Sequence, residues 1–157
     1  YKLKYQRYKK IFCDVFGSFY ERVIFIGDYG IQLKGHLYMK FLASVDCICE
    51  TFPFGGLNST YDAIAVDQPV ITLPSNYLSG RFTLGIYKKM GMLNTVAQDM
   101  DNYVDLAIRQ ATDTEFRMKN QDFIKKNKWR VFEEQESVDE WNRCLEELYF
   151  RKTRRVG

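Results

Sequence analysis

Short apolar runs that alternate with segments of helical periodicity constrain the fold of this chain more than any other feature. The runs are Val23–Ile26, Val45–Cys49 and Val70–Leu73, with Thr95–Ala97 as a shorter fourth candidate. Buried strands that read as nearly continuous apolar runs are typical of parallel sheets, whose crossover connections are right-handed helices. The pattern predicts an α/β fold with a parallel sheet in a core at 20–97 and a helical tail at 99–151.

The same periodicity and the capping signals predict where the helices begin and end. We expect helices at 1–16, at 36–44, from Asn58 or Ser59 as cap to about Val66, at 78–90 before Gly91, at 99–111 and at 113–128, and a last one capped by Ser137 and Glu140. The segments 28–35 and 51–57 are expected to be loops, because glycine and proline interrupt them.

Composition excludes several classes of protein. The chain has 157 residues, 46% of them apolar and 27% charged, which suits one globular domain. No apolar run approaches the roughly 18 residues of a membrane span, so none is expected. The four cysteines form no CxxC pair and there is one histidine, which argues against a metal site. Unpatterned cysteines favour a reducing compartment and predict a cytoplasmic protein.

Charge is unevenly distributed along the chain. Residues 1–10 carry five basic and no acidic side chains, and residues 151–157 carry four and none, which leaves 14 basic against 20 acidic residues between them. The acidic body argues against a nucleic-acid-binding protein. The basic ends, with Tyr1, Tyr5 and Tyr8 interleaved at the start, suit either a solvated helix face and tail or binding to RNA or an anionic membrane surface.

The segment from Glu50 to Asp62 carries the strongest indication of a site. It follows a predicted strand, and ligands of open α/β sheets bind at the carboxyl ends of strands. Gly55 and Gly56 would let the backbone approach a ligand closely. The helix that follows would direct its free N–H groups and positive dipole end toward an anion.

Polar side chains stand on the first turns of that helix. Asn58, Ser59 and Thr60 suit phosphate oxygens, and Asp62, about one turn later, could accept hydrogen bonds from a ribose diol. The alternative is structural: Asn58 and Ser59 only cap the helix, and Asp62 only complements its dipole. The motifs GxGxxG and GxxxxGK[ST] are both missing from the sequence.

The stretch from His36 to Arg81 resembles the C-terminal catalytic domain of family-41 glycosyltransferases. The resemblance rests on Asp46-x4-Thr51-Phe52-Pro53-Phe54-Gly55-x2-Asn58-x3-Asp62, with His36 ten residues before Asp46, on Pro69–Pro74 and on Leu78–Arg81. The first block looks most like the bacterial adhesin N-glucosyltransferases, and the later blocks look more like the O-GlcNAc transferases and SPINDLY-like proteins.

The resemblance implies a GT-B architecture, in which two Rossmann-like domains face each other and the C-terminal one holds a UDP-sugar. It implies that Asn58 contacts the diphosphate and Asp62 the ribose, that Ser59 and Thr60 assist, and that His36 lies near the uridine or diphosphate. Arg81 either reaches the cleft or pairs with a neighbouring acid. The expected reaction transfers glucose or GlcNAc to a protein side chain without a metal or other cofactor.

Departures from the family pattern limit what is carried over. Leu57-Asn58-Ser59 stands where the O-GlcNAc branch has His-Thr-Thr, which weakens the assignment of GlcNAc as donor. The phosphate-binding lysine of the family and the N-terminal GT-B domain are expected to lie outside these residues, on the N-terminal side, unless Lys34 substitutes for that lysine. No catalytic residue is assigned. A non-catalytic nucleotide-binding or interaction module, or a GT-B transferase with a non-protein acceptor, remains an alternative.

Overall fold

The computed structural model describes residues 2–26, 33–132 and 134–153. They fall into two compact units, Tyr1–Lys34 and Gly35–Gly157. The regular elements are α1 Lys2–Phe16, α2 Gly35–Ser44, β1 Ile48–Cys49, α3 Asn58–Ala65, β2 Val70–Ile71, α4 Phe82–Met90, α5 Met100–Thr112, α6 Thr114–Asn127, α7 Trp129–Phe132 and α8 Gln135–Thr153, with 3-10 helices at Gly17–Arg22 and Leu78–Gly80.

The first unit is a helix followed by a 3-10 helix. Helix α1 ends at Phe16, as predicted, because Gly17 has a positive φ of 52° that lets the chain leave the helix. The ring of Phe25 packs edge-on against Phe12 at a centroid distance of 5.5 Å and against Tyr5 at 6.0 Å. Aromatic contacts therefore fold the segment after the 3-10 helix back on α1.

The predicted strand at Val23–Ile26 is wrong. Val23 donates its N–H to Tyr20 O at 2.9 Å, so this N–H completes the preceding 3-10 helix instead of a ladder. Ile24 is 70% exposed, whereas a strand buried on both faces would enclose it. The apolar run reflects contacts such as that of Phe25 with α1, and not a central strand.

The sheet in the second unit is parallel, as predicted, but short. Strand β1 pairs with β2 through Ile48 opposite Val70 and Cys49 opposite Ile71. Thr72 continues the line beyond β2 and forms a parallel bridge with Val96, where the fourth strand was expected. This order places the carboxyl ends of β1 and β2 side by side.

The core of the second unit lies where β2 meets helices α3, α4 and α6. Its buried members are Ala63, Ile64, Val70, Ile86, Tyr87, Met90, Met92 and Ile124. The Tyr87 hydroxyl accepts the N–H of Val70 at 2.6 Å and donates to Val70 O at 3.0 Å. A buried phenol thus satisfies both backbone groups of a strand residue, as a buried polar group requires.

Several helix caps follow the sequence closely, but the one expected for the last helix does not. The carboxylates of Asp99 and Asp113 accept the N–H groups of Asn102 and Phe116, and α4 ends at Gly91, which has a φ of 82°. The capping box of Ser137 and Glu140 is wrong, since α8 already begins at Gln135. Ser137 lies inside its first turn and donates to a carboxylate oxygen of Glu134 at 2.6 Å.

The last helix, α8, carries apolar side chains that are largely exposed. Val138, Trp141, Leu145 and Leu148 of α8 are each more than half exposed.

Over the ranges that the structure describes, no helix combines the length and the apolar character of a membrane span.

Candidate functional site

A cavity of about 600 Å³ opens beside the carboxyl end of β1. It is enclosed by β1, the loop that follows, the start of α3, and Tyr38 and Leu42 of α2. Of the eight residues predicted to bind a donor, five line it: Gly55, Gly56, Asn58, Ser59 and Thr60. The predicted position at a strand end and the start of a helix coincides with a real concavity.

The N-terminus of α3 faces this cavity without a side-chain cap. The first helical hydrogen bond runs from Tyr61 N–H to Leu57 O at 3.0 Å, and Leu57, which has no side chain able to cap, holds the cap position. The structural alternative in which Asn58 or Ser59 caps the helix is therefore wrong. The N–H groups that precede the first helical bond, with the positive end of the helix dipole, suit an anion.

The three polar residues of this turn differ in orientation. Asn58 and Ser59 have exposed side chains. Thr60 is 1% exposed, and its hydroxyl lies 2.9 Å from that of Thr83 on α4. Asn58 and Ser59 are therefore open to solvent at the cavity, while the Thr60 side chain joins α3 to α4.

Asp62 lies one turn further along α3 and is half-buried outside the cavity lining. Its charge reaches the cavity wall through Tyr38, whose pKa is raised first by burial and then by the carboxylate of Asp62. The carboxylate therefore acts electrostatically on a phenol that lines the cavity. Its role toward a ribose stays a prediction.

The remaining predicted residues stand apart from the cavity. His36 is exposed in the first turn of α2, and Arg81 is exposed at the N-terminal cap of α4, and neither lines the cavity. The loop predicted at 28–35 lies mostly outside the described residues, so substitution by Lys34 stays a prediction, as do the roles of His36 and Arg81.

Glu50 begins the segment predicted to carry the site, but the sequence indicates no role for it. Its carboxylate accepts hydrogen bonds from Gly56 N–H at 2.7 Å, from the Thr83 hydroxyl at 2.5 Å and from the Thr72 hydroxyl. Its backbone carbonyl accepts the Tyr103 hydroxyl at 2.7 Å. One half-buried side chain thus joins the ends of β1 and β2, helix α4 and the glycine loop. The sequence feature that could have pointed to Glu50 is its place directly after a strand. Two of its partners, Thr72 and Thr83, are distant in the sequence.

The two loop glycines make room for protein groups. A Cβ on Gly55 would lie 2.9 Å from the Glu50 carboxyl carbon, and one on Gly56 would lie 2.4 Å from Ser59 Oγ. Both distances are shorter than any normal contact of a Cβ. Glycine is needed at both positions because the Glu50 carboxylate and the Ser59 hydroxyl occupy the space that a Cβ would fill. That the backbone there also approaches a ligand stays a prediction.

No metal site stands out in the part of the chain that the structure describes: no three or more His, Cys, Asp or Glu side chains group closely enough to hold an ion. That the reaction needs no metal or other cofactor stays a prediction.

Comparison with known proteins identifies the family. A sequence model of glycosyl transferase family 41 matches residues 20–140. The probable UDP-N-acetylglucosamine–peptide N-acetylglucosaminyltransferase SPINDLY of Petunia hybrida is 28% identical over 81 residues, which is 52% of this chain and 9% of that protein. The UDP-glucose:protein N-beta-glucosyltransferase of Actinobacillus pleuropneumoniae is 25% identical over 93 residues, 59% of this chain and 15% of that protein.

A solved structure agrees at the level of the fold. A mutant O-GlcNAc transferase of Thermobaculum terrenum superposes with a TM-score of 0.62 and 20% identity, over 75% of this chain and 22% of that one. The chain therefore spans less than a quarter of each of these relatives. Since the family match covers most of its residues, the chain belongs to glycosyl transferase family 41.

Proposed function

We propose that this chain is the donor-binding portion of a metal-independent glycosyltransferase that transfers glucose or GlcNAc from a UDP-sugar to a protein side chain. The observation that carries the proposal is the uncapped N-terminus of α3 in the wall of the cavity at the end of β1. Two relatives whose names specify UDP-sugar donors and peptide or protein acceptors support the choice of ligand.

The proposed chemistry places the diphosphate at the start of α3. Breaking the bond between the sugar and UDP leaves negative charge on the departing phosphate oxygen. The free N–H groups at Asn58 to Thr60 and the helix dipole would stabilise that charge electrostatically, in place of a metal ion. Asn58 and Ser59, the exposed side chains of the turn, would donate to phosphate oxygens.

Two carboxylates would serve different parts of this site. Asp62 would accept hydrogen bonds from the ribose hydroxyls. Glu50 would not touch the donor through its carboxylate, whose oxygens already accept three hydrogen bonds, but would hold the loop before α3 in place. A catalytic base and a phosphate-binding lysine would come from other parts of the longer protein.

Titration with uridine, UMP and UDP tests the proposal, with binding followed by melting temperature and by the amide signals of residues 58–62. If the helix terminus binds the diphosphate, affinity rises from uridine to UDP and is unchanged by EDTA. A ligand at ten times its Kd stabilises the protein by about 1.4 kcal/mol, which shifts the melting temperature by a few degrees.

Matched variants assign the roles. Asn58→Ala should weaken UDP more than uridine, whereas Asp62→Asn should weaken both, because only the latter residue would contact the ribose. Asp122→Asn, an exposed acid on α6, serves as the control of equal charge change. If millimolar UDP moves neither the melting temperature nor these amides, the donor-site proposal fails and an interaction module is favoured. Rates of sugar transfer by the full-length protein, measured with peptide acceptors and with small-molecule acceptors, distinguish the two acceptor classes.

A further inference from the structure

Two cysteines stand next to each other in space at strand β1: Cys47 directly precedes the strand and Cys49 is its last residue. Cys47 and Cys49 are separated by one residue, so their side chains point to the same face, and their sulfur atoms lie 3.7 Å apart. Two residues along a strand separate their Cα atoms by about 6.6 Å, which falls within the range that a disulfide bridges. Bond formation therefore requires the sulfurs to approach each other from 3.7 Å, with a small adjustment of the strand end but no new backbone path.

The pair is accessible and chemically asymmetric. Cys49 is exposed and lines the cavity, whereas Cys47 is half-buried. The hydrogen bond from the Cys47 thiol lowers the pKa of Cys49 to about 6, with a smaller contribution from the Tyr103 hydroxyl, while partial burial opposes the shift. The same hydrogen bond, followed by burial, raises the pKa of Cys47. A thiolate at the cavity wall beside a protonated thiol is the arrangement of a nucleophile and its resolving partner.

We propose that Cys47 and Cys49 form a reversible dithiol–disulfide site that a peroxide oxidises. The Cys49 thiolate attacks one peroxide oxygen, the O–O bond breaks, and the other oxygen leaves as water after taking a proton, which produces a sulfenic acid. The Cys47 sulfur then attacks the Cys49 sulfur, and the hydroxyl leaves as a second water with the Cys47 proton. Two thiols and one peroxide give one disulfide and two waters, and an external dithiol reverses the change.

The position of the site links it to the cavity. Cys49 lines the cavity, and the next residue is Glu50, whose carboxylate holds the glycine loop. Drawing the two sulfurs together changes the strand end on which Glu50 depends. Oxidation should therefore weaken UDP binding several-fold, a consequence that rests on the proposed function, whereas the disulfide itself does not.

Peptide mapping of the 157-residue chain tests the chemistry. Trypsin releases residues 41–81, a peptide with no internal Lys or Arg that contains Cys47 and Cys49 and no other cysteine. After hydrogen peroxide and then iodoacetamide, we expect this peptide to be lighter by two hydrogen atoms and unalkylated at both positions, and dithiothreitol to restore alkylation. A variant with Cys13→Ser and Cys144→Ser should behave identically, which excludes exchange with the other cysteines.

The proposal is overturned if peroxide converts Cys49 to the sulfinic acid and leaves Cys47 free to react with iodoacetamide. It is also overturned if the only disulfides that form join two chains. In Cys47→Ser, which lacks the resolving sulfur, that sulfinic product is expected. UDP titration of oxidised and reduced protein tests the link to the cavity, and equal affinities overturn that link. If reduced protein binds no UDP, the proposed function fails while the mass result still decides the disulfide.

Discussion

Replacing Glu50 should loosen the whole loop between β1 and α3. In Glu50→Ala the N–H of Gly56 and the hydroxyl of Thr72, which is fully buried, lose their acceptor. Thr83 keeps its 2.9 Å contact with Thr60 and loses less. The perturbation therefore leaves two polar groups without a partner in the protein.

The magnitude follows from those two groups. A buried polar group left unsatisfied costs about 1–3 kcal/mol, so two of them give about 2–6 kcal/mol. Because Glu50 is half-buried beside the cavity, water replaces part of what is lost, and we expect about 2–4 kcal/mol. Glu50→Gln retains one acceptor oxygen and the volume of the side chain, and should cost about 1 kcal/mol.

Urea denaturation followed by circular dichroism measures the loss. With a denaturant slope of about 2 kcal/mol/M, a cost of 3 kcal/mol lowers the midpoint by about 1.5 M. Glu146→Ala, which removes an exposed acid from α8, is the control and should change stability by less than about 0.5 kcal/mol. The reasoning is refuted if Glu50→Ala behaves like this control, or if the glutamine variant is as unstable as the alanine variant.

Three further predictions concern other parts of the second unit. Alkylation of Cys49 by iodoacetamide should slow as the pH falls through about 6, because its lowered pKa keeps the thiolate above that pH, and a midpoint near the ordinary 8.5 would contradict this. In denaturation assays Gly91→Ala should cost about 1 kcal/mol, since its φ is 82°, whereas Gly85→Ala, which has open space inside α4, should gain about 0.5–1 kcal/mol, and equal effects would contradict the assignment. Tyr87→Phe should cost about 1–3 kcal/mol because both backbone groups of Val70 lose their partner, and a neutral result would show that they do not depend on the hydroxyl.

Local features of the fold could be predicted from the sequence because their causes are local. Asp99 and Asp113 cap helices through N–H groups three residues later, and Gly91 ends a helix through its own φ. The prediction of a strand at Val23–Ile26 was wrong because an apolar run can also pack against a helix, as Phe25 does against α1. The spacing of apolar residues does not distinguish these two cases. Strand pairing depends on residues that are distant in the sequence. Of the apolar runs Val45–Cys49 and Val70–Leu73, only two residues each form the paired strands β1 and β2.

In the candidate site, too, features with local causes could be predicted from the sequence and features that depend on tertiary contacts could not. The cavity at the start of α3 was predicted because a glycine loop between a strand and a helix is a contiguous pattern. The role of Glu50 could not be predicted, because Thr72 and Thr83 lie 22 and 33 residues away in the chain. A tertiary contact with Thr83 buries Thr60, although its neighbours Asn58 and Ser59 remain exposed.

The close fit between Glu50 and the two glycines has a consequence for how this loop can diverge. An added methyl group at Gly55 meets the Glu50 carboxylate, while a shorter residue at position 50 leaves donors without an acceptor. Single-site mutagenesis would therefore report positions 50 and 55 as separately intolerant. Only a library that varies the two positions together would find combinations in which a smaller acid at position 50 accompanies a larger residue at position 55.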